Sequence, residues 1–249
     1  MADFEAATDG LRAAPPILSR PLLIQNLCMK PIAIDPRKIR DIAPLLLDAD
    51  GRLLITPASL LEGTTAEERL VFGVRNGVYG IPTGELCEYL RARIADRRAI
   101  EIGAGNGVLA RELGIAATDN RQQEEPGIKA YYDQLSQPTV RYGDNVERLD
   151  ANAAVAKYKP EVVIACWVTH RFDPRVESAG GSSSGVDEAA IIAACDEYIF
   201  IGNEQVHAYK PIWGLPHEKL TPPWLYSRSV NGSRDFIATW KQSQERQVE

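Results

Sequence analysis

Long apolar runs are missing from this 249-residue chain. No stretch approaches the roughly 18 residues that a membrane-crossing helix requires. A basic start is missing too: the first ten residues carry Asp3, Glu5 and Asp9 and neither Lys nor Arg. A secretory signal is therefore not expected, and a cytoplasmic location is. Paired cysteines are absent, because Cys28, Cys87, Cys166 and Cys195 are widely spaced. That spacing excludes a CxxC-type zinc or disulfide framework and predicts reduced thiols. There is no basic excess: 28 Lys and Arg stand against 34 Asp and Glu, a net charge of -6. Such a balance gives no global pull toward nucleic acid, although it leaves the local distribution of charge open. What remains is an ordinary globular composition, 45% hydrophobic and 25% charged. The length suits one large α/β domain, alone or with an appendage.

Residues 1–22 are rich in Ala, Asp and Pro, with Pro15, Pro16 and Pro21 as breakers, and read as poorly ordered. Residues 45–47 and 53–55 read as two short strands around an Asp-Gly turn. Asp48-Ala49-Asp50-Gly51 also matches the opening of a calcium loop. Ser59, however, stands at the twelfth position, where the loop's glutamate is needed. A helix is predicted over 65–75, with Thr65 as its cap and Glu67 and Glu68 in its first turn. Tyr79 to Pro82 reads as a turn, and Thr83 caps a helix over 84–95.

From Ala99 onward, strands and helices alternate. Strands are predicted at 99–102, 115–118, 140–142, 161–168 and 198–201, and helices at 106–113, 128–135, 146–157 and 186–195. This pattern implies an α/β three-layer sandwich with a mostly parallel sheet covered on both faces. Residues 225–230 and 235–240, around Asn231-Gly232-Ser233, read as an antiparallel C-terminal hairpin. Residues 178–185 read as a flexible loop. The expected organisation is an N-terminal extension over 1–75, with a disordered start, a short hairpin and a helix, followed by the α/β domain over 76–249.

Glu101-Ile102-Gly103-Ala104-Gly105-Asn106-Gly107 lies between a predicted strand and a predicted helix. Gly103 permits a sharp exit from the strand, Gly105 lets the backbone approach a ligand, and Gly107 allows close helix–strand packing. Sheets of this kind bind ligands in the crevice beyond the carboxyl ends of their strands. Taken alone, the loop is compatible with S-adenosylmethionine, with NAD or with no ligand. Asp119 ends the next predicted strand, where a carboxylate can accept both hydroxyls of an adenosine ribose, in an NAD site equally. Gly143-Asp144 follows the predicted third strand. An acid or its neighbouring backbone there can meet an adenine amino group, and Asp144 or Asn145 can equally cap a helix. Two details disfavour NAD: position 108 is Val where the dinucleotide fingerprint has its third glycine, and Asp119 comes earlier than the roughly 20-residue interval of that fingerprint.

On these residues, Asp119, Gly143-Asp144-Asn145 and the run from Val162 to Trp167, the segment from about Tyr79 to Trp240 resembles the class I methyltransferase superfamily. The resemblance implies a Rossmann-like sandwich whose sheet ends in an antiparallel seventh strand, here 235–240. It implies an S-adenosylmethionine-dependent methyltransferase. The cofactor residues it implies are Glu101, Gly103, Gly105, Gly107, Asp119, Asp144, Asn145 and Trp167, with Tyr79 and Thr83 closing over the cofactor.

Methyl transfer from a sulfonium is an in-line displacement that needs alignment first, and a base only when the nucleophile must lose a proton. The resemblance therefore supplies no universal catalytic residue. The end of the predicted fourth strand reads Ala165-Cys166-Trp167-Val168-Thr169-His170-Arg171-Phe172-Asp173. It lacks the Asp/Asn-Pro-Pro-aromatic motif common in enzymes that methylate base amino groups. Pro222-Pro223-Trp224 lies after the fifth strand and reads as a turn. Cys166 follows Ala165, not proline, and reads as a buried strand cysteine and not a cytosine nucleophile. His170 and Asp173 are a candidate base and its orienting carboxylate, or else a polar loop. Trp167 flanks the cofactor, stacks on a substrate or simply packs. His207 is a further candidate. With Glu204 and His217 it stands at no recognised zinc spacing, so no metal is expected. The expected partners are S-adenosylmethionine and an unidentified acceptor, a small molecule or protein ahead of nucleic acid, with no membrane. The alternatives are a nucleic-acid methyltransferase and a non-catalytic S-adenosylmethionine-binding protein.

Overall fold

The computed structural model describes residues 22–24 and 32–242, so the expected disorder before Leu22 lies outside the described residues. The chain divides into two compact units, Met1–Arg40 and Asp41–Glu249. In the first, β1 (Leu22–Ile24) pairs antiparallel with β2 (Ile32–Ile34). Asp35 caps the 3-10 turn Pro36–Lys38 that follows.

The second unit opens with α1 (Ala43–Leu46), α2 (Ser59–Glu62) and α3 (Ala66–Asn76). The strand expected at 45–47 is largely helical. Pro44 lies in the first turn of α1, where its fixed φ suits a helix. Of the expected hairpin the turn survives. Asp48 Oδ1 accepts from the N–H groups of Asp50 and Arg52, Gly51 takes φ 73°, and Leu47 bridges Leu53. The start of α3 is as predicted: Thr65 and Glu68 exchange side-chain-to-backbone bonds in a capping box, satisfying two otherwise orphaned donors. Ile42, Leu46, Leu61, Phe72, Val78 and Ile81 pack into a small core.

Beyond α3, β3 (Gly80–Ile81) occupies the stretch read as a turn, and α4 (Gly84–Ile94) follows with Thr83 as N-cap. The main elements are then β4 (Ala99–Ile102), α5 (Val108–Leu113), β5 (Ala116–Asp119), α6 (Pro126–Gln134), β6 (Val146–Arg148) and α7 (Ala151–Tyr158). They continue with β7 (Val162–Cys166), α8 (Glu188–Ala193), β8 (Glu197–Asn203), β9 (Glu218–Leu220), β10 (Tyr226–Ser227) and β11 (Asp235–Lys241). Seven strands form one sheet in the order β6-β5-β4-β7-β8-β11-β9. The first five are parallel, and β11 runs antiparallel between β8 and β9.

The two-residue period of the strands sorts side chains onto two faces. Val163, Ala165, Tyr198 and Phe200 pack with α7 and α8 on one face. Val162, Ile164, Ile199 and Ile201 meet Leu86, Leu90 and Leu109 of α4 and α5 on the other. Every residue of β8 is buried, as expected of a strand covered on both sides.

Three expectations need correction. The predicted strand 140–142 is irregular chain, and the third strand is β6, inside the predicted helix 146–157. The Val140 N–H goes to Gln123 Oε1 at 2.7 Å and not to a strand neighbour, while Asp150 caps α7 and fixes its start after β6. The C-terminal hairpin is also different. Both edges of β11 are taken by β8 and β9, so β10 pairs with β3 instead. Residues 178–185 are pinned by backbone bonds, Phe172 N–H to Ser182 O at 2.9 Å and Ser182 N–H to His170 O at 3.0 Å. Among the described residues, no helix is long and apolar enough to cross a membrane. Cys87, Cys166 and Cys195 are free thiols, and Cys28 lies outside the described residues.

Candidate functional site

The site forms where β4 and β5 end side by side. Gly103, Gly105 and Gly107 take φ values of 59°, 54° and 68°, a left-handed region in which a side chain is strained. Space decides as well. A Cβ at Gly103 would lie 2.5 Å from Val168 Cγ1, and one at Gly107 would lie 2.5 Å from Val146 Cγ2. The loop is held from outside by Asp119 at the end of β5. Its Oδ2 accepts from Gly105 N–H at 3.0 Å and its Oδ1 from Arg121 N–H at 2.7 Å. Burial raises the pKa of Asp119, against the lowering effect of those two bonds. Glu101 is 3% exposed, and its Oε2 accepts from Ala110 N–H at 2.9 Å, tying β4 to α5. Burial, and next the nearby Asp119 charge, push its carboxyl up to about 8 against the one favourable backbone bond.

Above this floor is a cavity of about 530 Å³. Tyr79, Glu101, Gly103, Gly105, Asp119 and Trp167 all line it. Trp167 follows β7 with φ 60°, an unusual conformation for a bulky side chain and one that costs roughly 1–2 kcal/mol. Its ring lies 6.2 Å from that of Tyr79 and meets His207 edge-on at 5.1 Å. Tyr79 is fixed in turn by a 2.9 Å hydroxyl contact with Tyr132 and by the Arg228 guanidinium 3.7 Å above its ring.

The other expected residues have different places. Thr83 is fully buried, caps α4 and donates to Trp224 O at 3.2 Å, away from the cavity lining. Gly107 serves packing against Val146, and Asn145 donates to Gly107 O at 2.9 Å. Asp144 precedes β6 and lines an adjoining cavity. Asp173 is bound by the Arg175 guanidinium, which holds its carboxyl below the usual range, and it does not orient His170. The His170 ring packs against Gly181, with Nε2 buried and unpartnered and its pKa lowered by burial. His207 is 7% exposed, accepts from Asn203 N–H through Nδ1, and is lowered to about 3 by burial and by the neighbouring Lys210 charge. Its ring packs edge-on against Trp167 and Phe200. Glu204 pairs with Lys219 at 2.9 Å, and among the described residues no group of three or more His, Cys, Asp or Glu side chains is placed to hold a metal.

Asp150 is a cavity-lining acid that the sequence analysis did not single out. It follows β6, lines the cavity and caps α7 through bonds from Asn152 and Ala153 N–H. A signal was present, since Asp before Ala-Asn-Ala-Ala is a helix start. Gln123, Tyr132 and Tyr142 also line the cavity from the segment after β5.

The donor set fits an adenosyl cofactor. Gly103 and Gly105 leave a floor without side chains, Asp119 offers carboxylate oxygens at its rim, and the volume falls in the range of roughly 300–1,000 Å³ usual for such ligands. The strand order, the antiparallel β11 and this loop together make a Rossmann-like α/β sandwich with a mostly parallel sheet.

No protein-family model matches the chain, and no curated protein matches it in sequence. Solved structures show distant likeness. One is WbdD, co-crystallised with a kinase inhibitor, at 9% identity and TM-score 0.38, covering 64% of this chain and 40% of that one. A candidate S-adenosylmethionine-dependent methyltransferase from Streptococcus mutans has 8% identity and TM-score 0.33, covering 62% and 47%. A candidate O-methyltransferase from Klebsiella pneumoniae has 11% identity and TM-score 0.35, covering 74% and 95%. The chain thus spans less than half the length of the first two. Likeness at this level fixes neither activity nor acceptor.

Proposed function

We propose that the chain is an S-adenosylmethionine-dependent methyltransferase. The carrying observation is the glycine loop closing on Asp119 at the adjacent ends of β4 and β5, beneath a cavity of about 530 Å³. In this reading Gly103 and Gly105 pass beneath the methionine part of the cofactor, and Asp119 accepts the ribose hydroxyls. Asp150 and the backbone beside it meet the adenine. The cofactor supplies an electrophilic methyl group. The protein's task is to align an acceptor with it, which can contribute much of the rate. Trp167, Thr169 and Arg171 line the cavity at the end of β7 and form the acceptor side. His170, Asp173 and His207 are not among the residues that line the cavity.

Titration calorimetry with S-adenosylmethionine, S-adenosylhomocysteine and NAD tests the premise. Both adenosyl ligands should bind in preference to NAD, and preference for NAD would overturn it. Gly103→Ala should abolish that binding, because of its φ and its contact with Val168. Gly114→Ala, with φ 69° but open space around it, should cost stability and keep binding. A radiolabelled methyl-transfer assay on cell-extract fractions then identifies the acceptor.

A further inference from the structure

A second cavity, of about 370 Å³, adjoins the first and shares Val78, Asn106, Val108 and Tyr142 with it. Its lining is cationic in a chain of net charge -6. Arg52, Arg75, Arg111 and Arg141 converge on it from four separate segments, and Asp144 is the one carboxylate among the lining residues. Three of the four are not paired with acids of the fold. Arg52, Arg111 and Arg141 form no ion pair with a described carboxylate, and the one side-chain bond among them runs from Arg111 to Asn145 Oδ1 at 2.6 Å. Arg141 reaches the turn that carries Arg52: its guanidinium lies 3.6 Å from where a side chain would begin at Gly51.

Guanidinium groups repel one another, and their forked donors match phosphate oxygens. Three uncompensated guanidiniums on one concave surface are stabilised by a polyanion, not by a neutral ligand. Their origin in separate segments suits several phosphates in a row better than one. We propose that this cavity binds the sugar-phosphate backbone of a single-stranded nucleic acid and is the phosphate-reading extension of the cofactor cleft. The assignment to the acceptor rests on the methyltransferase reading, whereas the binding does not. Tyr79 and Trp167 in the adjoining cavity provide faces on which an unpaired base stacks.

Fluorescence anisotropy of the full chain with labelled single-stranded RNA and DNA of about 12 nucleotides tests this, since strands of that order suit single-strand sites. Binding should weaken steeply with added salt, and each lost phosphate contact should lower the log–log salt slope by about 1. Arg52→Ala/Arg141→Ala should weaken binding about tenfold or more. Arg98→Ala, at a surface arginine outside the cavity, should leave it unchanged. The affinity for S-adenosylhomocysteine should stay the same in both variants, which also shows that they are folded. Absence of strand binding at low salt, or binding that the double variant leaves intact, would overturn the proposal. Equal competition by a nucleoside monophosphate or by inorganic phosphate would overturn the strand and point to a small phosphorylated ligand. Strand binding without S-adenosylhomocysteine binding would leave this site standing and remove the methyltransferase reading.

Discussion

Glu101 is the residue whose chemistry departs furthest from what its type suggests. Its carboxyl titrates near 4.5 in an unfolded chain and at about 8 in the fold, because burial penalises the charge. Between those values the folded state holds a proton that the unfolded state has released. Stability from this group is therefore full below about pH 4.5 and falls as pH rises toward 8. Glu101→Gln keeps an acceptor for Ala110 N–H and removes the titration. Melting temperatures of the two proteins should agree near pH 5 and differ by several degrees near pH 9, with the variant higher. Parallel profiles would show that Glu101 stays ionised throughout. The placement of Glu101, Gly103, Gly105 and Asp119 at one cavity was legible in the sequence, because it depends on neighbours within one β–α–β unit. The burial that shifts Glu101 was not legible, since it depends on α5 folding back over β4.

At the level of elements, legibility followed the strength of local signals. The Thr65 and Thr83 caps marked α3 and α4, and the apolar run Val162-Val163-Ile164-Ala165 marked β7. The third strand was misplaced because three residues are too short for a period to show, and because β-branched Thr139 and Val140 mimic a strand. Asp144 was singled out beside that expected strand, and Asp150, which follows β6 and lines the larger cavity, was not. β10 was misassigned because a turn signal cannot tell which edge of a sheet is still free. One further element contact was invisible in the sequence. Lys210, at the end of the turn after β8, donates to Glu188 Oε2 on α8 at 2.5 Å and to Val168 O at 2.9 Å, and Tyr198 donates to Glu188 Oε1 at 2.7 Å. Both charged side chains are almost wholly buried. Burial lowers the Lys210 pKa, and the Glu188 charge opposes that fall. The network fixes Val168, the residue that packs on Gly103. Lys210→Met leaves Glu188 without its cation and should cost about 3–5 kcal/mol in urea unfolding. Adding Glu188→Gln, which still accepts from Tyr198, should recover a substantial part. A cost in Lys210→Met well below 1 kcal/mol would show that the pair contributes little to holding this corner.

For the molecule as a whole, the setting of the cleft is not confined to the α/β core. α3 leads through Gly77 and Val78 directly to Tyr79, which lines the cavity beside Trp167. What sets the position of α3 is the small core of Ile42, Leu46, Leu61 and Phe72 around Val78 and Ile81. None of residues 41–75 lines the larger cavity, so the segment bears on it through packing. Phe72 is 2% exposed, and Phe72→Ala removes the largest side chain of that cluster at an expected cost of about 3–5 kcal/mol. The second effect is the informative one. If this small core holds Tyr79 over the cleft, the variant should bind S-adenosylhomocysteine several-fold more weakly at temperatures where it remains fully folded. Leu90→Ala, in the core between α4 and the sheet, should lose comparable stability and bind normally under the same conditions. Equal affinity in both variants would mean that the cleft is complete without this segment, and that its packing serves stability alone.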